Sequence, residues 1–328
     1  MGFYRYLLAV LVLISHASVS FLGYNPGVVA VISFLIISGY VMTLLINRHY
    51  LKPFRPYAFY ADRIARLFPQ FLLYISLTYW AIVYVKIPSD FMDVNNVALE
   101  KIWLNFLMLP QGFNMFLGSN LPVLMPQSWS LALELCFYLI IPWILHHYSH
   151  KLIVILLLQS ISIFLCAYLG FINTDYYGYR LIPGTLFIFL IGVLLSQKNW
   201  QSSRDLIAIF IFSGGLFLFL FNNEHLYKLN YNKEVLLGIM IGMACIYIIN
   251  KIEPSLKGDM FFGNLSYGVF LNHNLVIISL RYLFNFETYN TFWLFSIITV
   301  SSIFSLLSFT LVEKPIINWR HKLRQRVG

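Results

Sequence analysis

Charge is the scarcest property of this sequence. Of its 328 residues only 11% are Asp, Glu, Lys or Arg, where soluble domains carry roughly a quarter. With 59% hydrophobic residues, that scarcity excludes a soluble globular fold and leaves an integral membrane protein. Cysteine is scarce too. The three present, Cys136, Cys166 and Cys245, lie in apolar runs without CxxC spacing, which argues against a disulfide framework or a zinc site. P-loops, GxSxG elbows and HExxH helices are missing, which sets aside the chemistries built on them. No nucleic-acid module is visible, so nucleic acid is not expected as a partner. No internal repeat, low-complexity linker or appended soluble domain divides the chain. Residues 1–328 therefore read as a single membrane domain.

What the sequence has in abundance is apolar runs of about 20 residues, the length that crosses a bilayer. Ten qualify: 4–22, 27–47, 67–87, 129–147, 151–170, 181–197, 204–222, 235–251, 265–284 and 290–312. The expected fold is an all-α, polytopic transmembrane helix bundle of about ten spans. A cleaved signal peptide is the alternative for the first run, because Arg5 precedes a short apolar core. The second span follows almost at once and cleavage would discard His16, so 4–22 is kept as a span. Sixteen of the 22 Lys and Arg then fall on the side of the N-terminus. They include Arg48, Lys52 and Arg55 after span two, and Lys314, Arg320 and Lys322 after span ten. By the positive-inside rule both termini are cytoplasmic and the protein belongs to the cell inner (cytoplasmic) membrane. The longest stretch between spans, 88–128, falls outside and contains WLNFLMLPQGFNMF. It reads either as a re-entrant segment capping a cavity or as a lipid-lying loop with aromatic anchors.

Ionisable groups inside spans usually face the bundle interior and mark pathways or relays. His16 sits about twelve residues into the first span, a little past the midplane. It is either a base or a neutral imidazole bonded to a neighbouring helix. Glu134, in SWSLALELCFYLI, lies at similar depth. It could fix the tautomer of His16 and stabilise its imidazolium, or be a structural carboxylate bonded to Ser, Tyr or backbone. Trp129 and Ser130 open the same span, where a tryptophan is most simply an interfacial anchor. Arg63 and Arg66, three apart in YADRIARLFPQ, share one helix face before Pro69 breaks or kinks the helix. Two guanidiniums there suit a phosphate clamp, though topology signals look the same. In NLSYGVFLNHNLVI, Tyr267 precedes the triplet Asn272, His273, Asn274, which suggests a lined cavity. In LVEKPIINWRHKLRQR, Pro315 interrupts span ten and the basic tail reads as a lipid-surface anchor. His146, His147 and His150 have metal-like spacing without a carboxylate at hand. They read as a solvated helix cap, and no metal is expected.

Several of these segments form an ordered set. Arg5 is followed eleven residues later by His16. FLIISGY (34–40), Arg63-x-x-Arg66, WSLALELCFYL (129–139), SYGVFLNH (266–273) and Glu313-Lys314-Pro315 come after it in turn. Together they resemble the acyltransferase-3 family of membrane-bound O-acyltransferases, which modify bacterial surface glycans. The departures are Leu135, where many members carry a second acidic residue, and Asn272, where an aromatic is common. The hydrolase-like extracytoplasmic domain that some members append is also not expected on this chain.

The resemblance implies a reaction. Acyl-CoA, with acetyl-CoA as the family's commonest donor, enters from the cytoplasm with its phosphates on Arg63 and Arg66. His16 acts as general base on a hydroxyl of a glycan or lipid-linked sugar acceptor, and Glu134 orients it. Trp129, Ser130, Tyr267 and His273 line the substrate path within the lipid bilayer. The resemblance leaves open whether a separate extracytoplasmic partner completes the transfer. From the residues alone a transporter or flippase of a lipid-linked saccharide is the alternative, since buried His/Glu pairs also relay protons. A glycan polymerase would want a larger charged outer loop than 88–128 offers.

Overall fold

The computed structural model describes residues 1–92, 99–118, 122–197, 199–251, 257–284, 291–317 and 319–320. Its long helices are α1 (Gly2–His16), α2 (Pro26–His49), α3 (Pro56–Tyr79), α5 (Ser128–His146), α6 (His150–Tyr168), α7 (Ile182–Ser196), α8 (Trp200–Phe221), α10 (Asn232–Lys251), α11 (Asp259–Phe284) and α12 (Thr291–Ser308). Two short helices, α4 (Asn114–Leu117) and α9 (Glu224–Lys228), lie in connections. No strand occurs among the described residues. Helices dominate because backbone polar groups in lipid must be satisfied within their own segment. Start signals fix several of them. Asn25 accepts from the Gly27 N–H at 2.9 Å ahead of Pro26, Ser149 from Leu152 at 3.1 Å, and Asn199 from Ser202 at 2.8 Å, each occupying an otherwise orphaned donor.

Eight of these helical segments are long and apolar enough to cross a membrane. The protein is an all-α, polytopic membrane bundle. The remaining two expected spans correspond to α1, which is short, and α11, whose Asn272-His273-Asn274 triplet dilutes its apolar character. These two pack extensively against each other, and α1 also packs on α2. α2 is central, touching α5, α7 and α10 as well, while α8 and α12 are mostly exposed. The α2–α7 contact is backbone to backbone. A Cβ on Gly192 would lie 2.1 Å from the Ile36 carbonyl oxygen, and one on Gly39 2.0 Å from that of Phe189. Small residues allow such an approach where apolar surface gives no driving force over lipid. A polar seam joins α3, α11 and α12. Tyr74 donates to Ser308 Oγ at 2.6 Å, Ser305 Oγ to the Leu265 carbonyl at 2.7 Å, and Asn272 Nδ2 to the Ser301 carbonyl at 2.9 Å.

Four expectations change. The helix of the first span stops at His16, not at 22. Ala17 N–H closes onto the Leu13 carbonyl, and the chain then turns through positive φ at Ser18, Leu22 and Gly23 into the Asn25 cap. His16 is thus a helix-end residue, not a mid-span one. Arg63 and Arg66 lie two turns inside α3, because Pro56 starts that helix and it runs through Pro69 without a break, as a proline ring can when the helix accommodates one lost N–H. In span ten a widened π turn at Phe309–Glu313 precedes Pro315, whose missing N–H leaves a carbonyl one turn earlier without its helical partner. The histidine set does have a carboxylate: Asp205 of α8 lies 3.2 Å from His150.

The stretch before α5 folds back as two 3₁₀ segments, Leu99–Leu107 and Leu109–Phe113. Asn105 holds it, donating to the Pro122 carbonyl at 2.9 Å and accepting from Leu124 N–H at 3.1 Å. Gly112 seats it on α5, where a Cβ would come within 2.8 Å of Ala132 Cβ. The backbone contact at Gly192 yields a prediction. Gly192→Val forces α2 and α7 apart, and overpacking of this kind costs about 1–3 kcal/mol or more. A clear drop in the melting temperature of the detergent-solubilised protein checks it.

Candidate active site

Two cavities lie inside the bundle. The first, about 170 Å³, is lined by Arg5 of α1, Ser38 of α2, Arg63 and Arg66 of α3, and Glu134 and Tyr138 of α5, with Tyr267 of α11. The second, about 570 Å³, is lined by His16, by Gln111 and Asn114 of the stretch before α5, by Trp129, and by Asp175 and Arg180 before α7. We call them the arginine and histidine chambers. Val31, Ser130 and Phe270 line both, so three side chains form a common wall. Arg5 and His16 stand on one helix, eleven residues or roughly 16 Å of rise apart, and each faces a different chamber.

In the arginine chamber Arg63 and Arg66 each have a carboxylate partner, as buried ions require. Arg63 Nε donates to Asp62 at 3.1 Å, and Arg320 donates to the same carboxylate at 3.0 and 3.4 Å. Asp62 is fully buried. Arg66 pairs with Glu313 at the end of the π turn and stands 5.0 Å over the Tyr267 ring. Tyr267 itself donates to the Leu67 carbonyl at 2.8 Å. Glu134 accepts from Ser38 Oγ and Tyr138 OH, both at 2.5 Å. Two adjacent arginines fixed by carboxylates but open to a cavity can receive phosphate oxygens bidentately.

His16 is half-buried and ends α1. Its ring centroid lies 4.9 Å from that of His273 and 6.2 Å from that of Phe91. His273 is fully buried, with Nδ1 3.3 Å from the Val269 carbonyl. Trp129 packs edge-on against Tyr179 at 4.7 Å, and Arg180 lies 5.0 Å over the Trp129 ring while donating to Asp175 at 2.6 Å. Ser130 donates to the Gln127 carbonyl at 3.0 Å.

The structure therefore gathers Arg63, Arg66, Glu134 and Tyr267 at one chamber, His16 and Trp129 at the other, and Ser130 at both. It does not pair His16 with Glu134. The early end of α1 turns the imidazole toward α11, while Ser38 and Tyr138 hold the carboxylate on the arginine side of the wall. Nor does His273 line either chamber. It stands one layer back, against His16. Arg5, Asp62, Gln111 and Arg180 were not anticipated as site residues. The first two had a readable signal, a charge placed among apolar residues of a helix. The others become site residues only once the loops fold back.

A family model described as an acyltransferase domain, acyltransferase-3, matches residues 3–311. The chain belongs to the acyltransferase-3 family. Among similar proteins, one from Aquifex aeolicus, uncharacterized, is 34% identical over 203 residues, covering 60% of this chain and 90% of that one. The membrane-bound transacylase BcsY of Komagataeibacter xylinus is 26% identical over 316 residues, covering 90% of this chain and 78% of its own length. The O-acetyltransferase OatA of Staphylococcus aureus is 25% identical over 345 residues, covering 93% of this chain and 55% of OatA. No solved structure matches the chain significantly. The chain is thus a multi-pass membrane acyltransferase.

The shared carboxylate carries the prediction here. Asp62→Asn leaves two buried guanidiniums facing one amide, and losing one partner of a buried ion pair costs roughly 3–5 kcal/mol. Unfolding of the purified variant should occur at markedly lower temperature than in Asp62→Glu, read by scanning fluorimetry in detergent.

Proposed function

We propose that the protein is an O-acyltransferase that moves an acyl group from cytoplasmic acyl-CoA, with acetyl-CoA as the expected donor, to a hydroxyl of a glycan or lipid-linked sugar. The observation that carries this reading is the common wall. Arginines face one chamber, a histidine faces the other, and Val31, Ser130 and Phe270 line both. The excess of cations at the arginine end assigns that end to the cytoplasm, hence both termini as well. The protein would then work in the inner (cytoplasmic) membrane.

In this reading Arg63 and Arg66 hold the donor's phosphates, with Arg5 and Glu134 balancing charge beside them. The thioester reaches the wall between the chambers. A hydroxyl in the histidine chamber attacks the carbonyl carbon while His16 takes its proton. Collapse of the tetrahedral intermediate breaks the carbon–sulfur bond, and the thiolate leaves with the proton returned from His16. Holding the two reactants in adjoining chambers turns a bimolecular step into a local one. The resemblance in sequence to BcsY and OatA supports the reaction class.

Purified protein should release CoA from acetyl-CoA. His16→Ala should lower acyl transfer by about 10²–10⁴-fold, the usual range for a lost general base, without reducing the amount of folded protein in the membrane. Transfer at the unaltered rate in that variant would remove His16 from the mechanism. A transporter would cleave no thioester at all.

A further inference from the structure

The histidine chamber carries a polar pattern that the transfer chemistry does not use. Five side-chain amides stand on its wall; Asn25 caps α2, and the other four are Gln111, Asn114, Gln127 and Asn274. Asn114 Nδ2 donates to Gln111 Oε1 at 3.2 Å, and Gln127 Nε2 donates to the Leu271 carbonyl at 2.8 Å. That leaves Gln111 Nε2, Asn114 Oδ1, Gln127 Oε1 and Asn274 Nδ2 buried without a protein partner among the described residues. The set is two donors and two acceptors. An unpartnered buried polar atom costs about 1–3 kcal/mol, so four on one wall are an expensive arrangement that a ligand can relieve. The terminal amide torsions are soft, and small rotations present these atoms to the chamber.

The charges on the same wall are already matched. Asp175 is paired with Arg180, and Asp90 lies 2.7 Å from Arg281. A carboxylate placed against these amides would only accept hydrogen bonds, leaving Asn114 Oδ1 and Gln127 Oε1 unmet. A cationic amine would only donate, leaving Gln111 Nε2 and Asn274 Nδ2 unmet. A hydroxyl does both. The side-by-side Gln111 and Asn114 atoms, one donor and one acceptor, fit a single hydroxyl or a vicinal pair. We propose that these four amides form a subsite that reads the non-reacting hydroxyls of an uncharged sugar unit, and that they set the acceptor's specificity against acidic sugars. This rests on the acyl-transfer reading, and the volume of about 570 Å³ lies within the range of ligand pockets.

The probes are methyl β-D-glucopyranoside and methyl β-D-glucuronate, which differ by a hydroxymethyl against a carboxylate. Each is offered to the purified full chain, with binding read by thermal shift and transfer from acetyl-CoA read by mass spectrometry. The glucoside should be favoured about tenfold or more, the effect of one well-made hydrogen bond to a buried group. Gln111→Leu should raise its half-saturating concentration about tenfold. Asn114→Lys, on the half-buried edge of the wall, exchanges an acceptor for a cationic donor and should swing the preference toward the glucuronate; this second variant guards against misfolding of the first. Preference of the unaltered protein for the glucuronate, binding of neither sugar, or an unchanged preference in folded Asn114→Lys each overturns the inference. Glucoside binding without thioester cleavage would count against acyl transfer and leave the sugar subsite standing.

Discussion

A fully buried carboxylate, Asp62, shared by Arg63 and Arg320, is the constraint around which the rest of this bundle is arranged. Charges inside an apolar bundle survive only where partners converge on them. Here they converge from distant parts of the chain: α3 supplies Asp62, Arg63 and Arg66, and the region after α12 supplies Glu313 and Arg320. The pairing ties the last described residues to the third helix. It also fixes both arginines at the edge of a cavity instead of leaving them to reach toward headgroups, as long cationic side chains at a membrane boundary otherwise do. The polar seam of Tyr74, Asn272, Ser301 and Ser308 continues the same logic deeper into the bundle, where hydrogen bonds between helices replace the hydrophobic drive that lipid removes.

The helices least suited to face lipid carry the two facing histidines. α1 is short and α11 is diluted by polar residues, and burying them against each other is what permits a histidine on each. The broken backbone between α1 and α2 and the 3₁₀ stretch before α5 are tolerated for a related reason. Irregular backbone at membrane depth persists where it lines a cavity or is buried in protein. Both segments line the histidine chamber, so the irregularity and the cavity are one feature.

Most of the architecture was legible because hydropathy reports helices in lipid directly. Ten apolar runs became ten helices, and a stretch broken by Pro110 and Gly112 became two 3₁₀ segments, the second packed on α5. The arginine pair was legible from its spacing of three. The site's partnerships were not. Depth along a span placed His16 and Glu134 at similar levels, but depth does not report which way a helix faces. Nor did the apolar run 17–22 betray that the helix had ended, since Ser18 and Leu22 turn by backbone conformation alone. The amides at 111, 114 and 127 fall in or next to a loop, where no periodicity assigns a face.

Separating Glu134 from His16 alters the electrostatic argument for the proposed reaction. A base that takes a proton in an apolar site needs something to carry the resulting positive charge. With Glu134 held across the wall by Ser38 and Tyr138, no carboxylate among the described residues is bonded to the imidazole. The end of α1 can serve instead. His16 occupies its last turn, where the aligned peptide dipoles of a helix present partial negative charge and favour a cation by about 0.3–1 kcal/mol, more where partly buried. This places a field beside the proposed base. It also leaves the carboxylate free to balance arginines on the donor side, where the net positive charge is larger. The break after His16 thus does two things at once: it exposes the imidazole to the chamber, and it puts the helix terminus where the imidazolium would form.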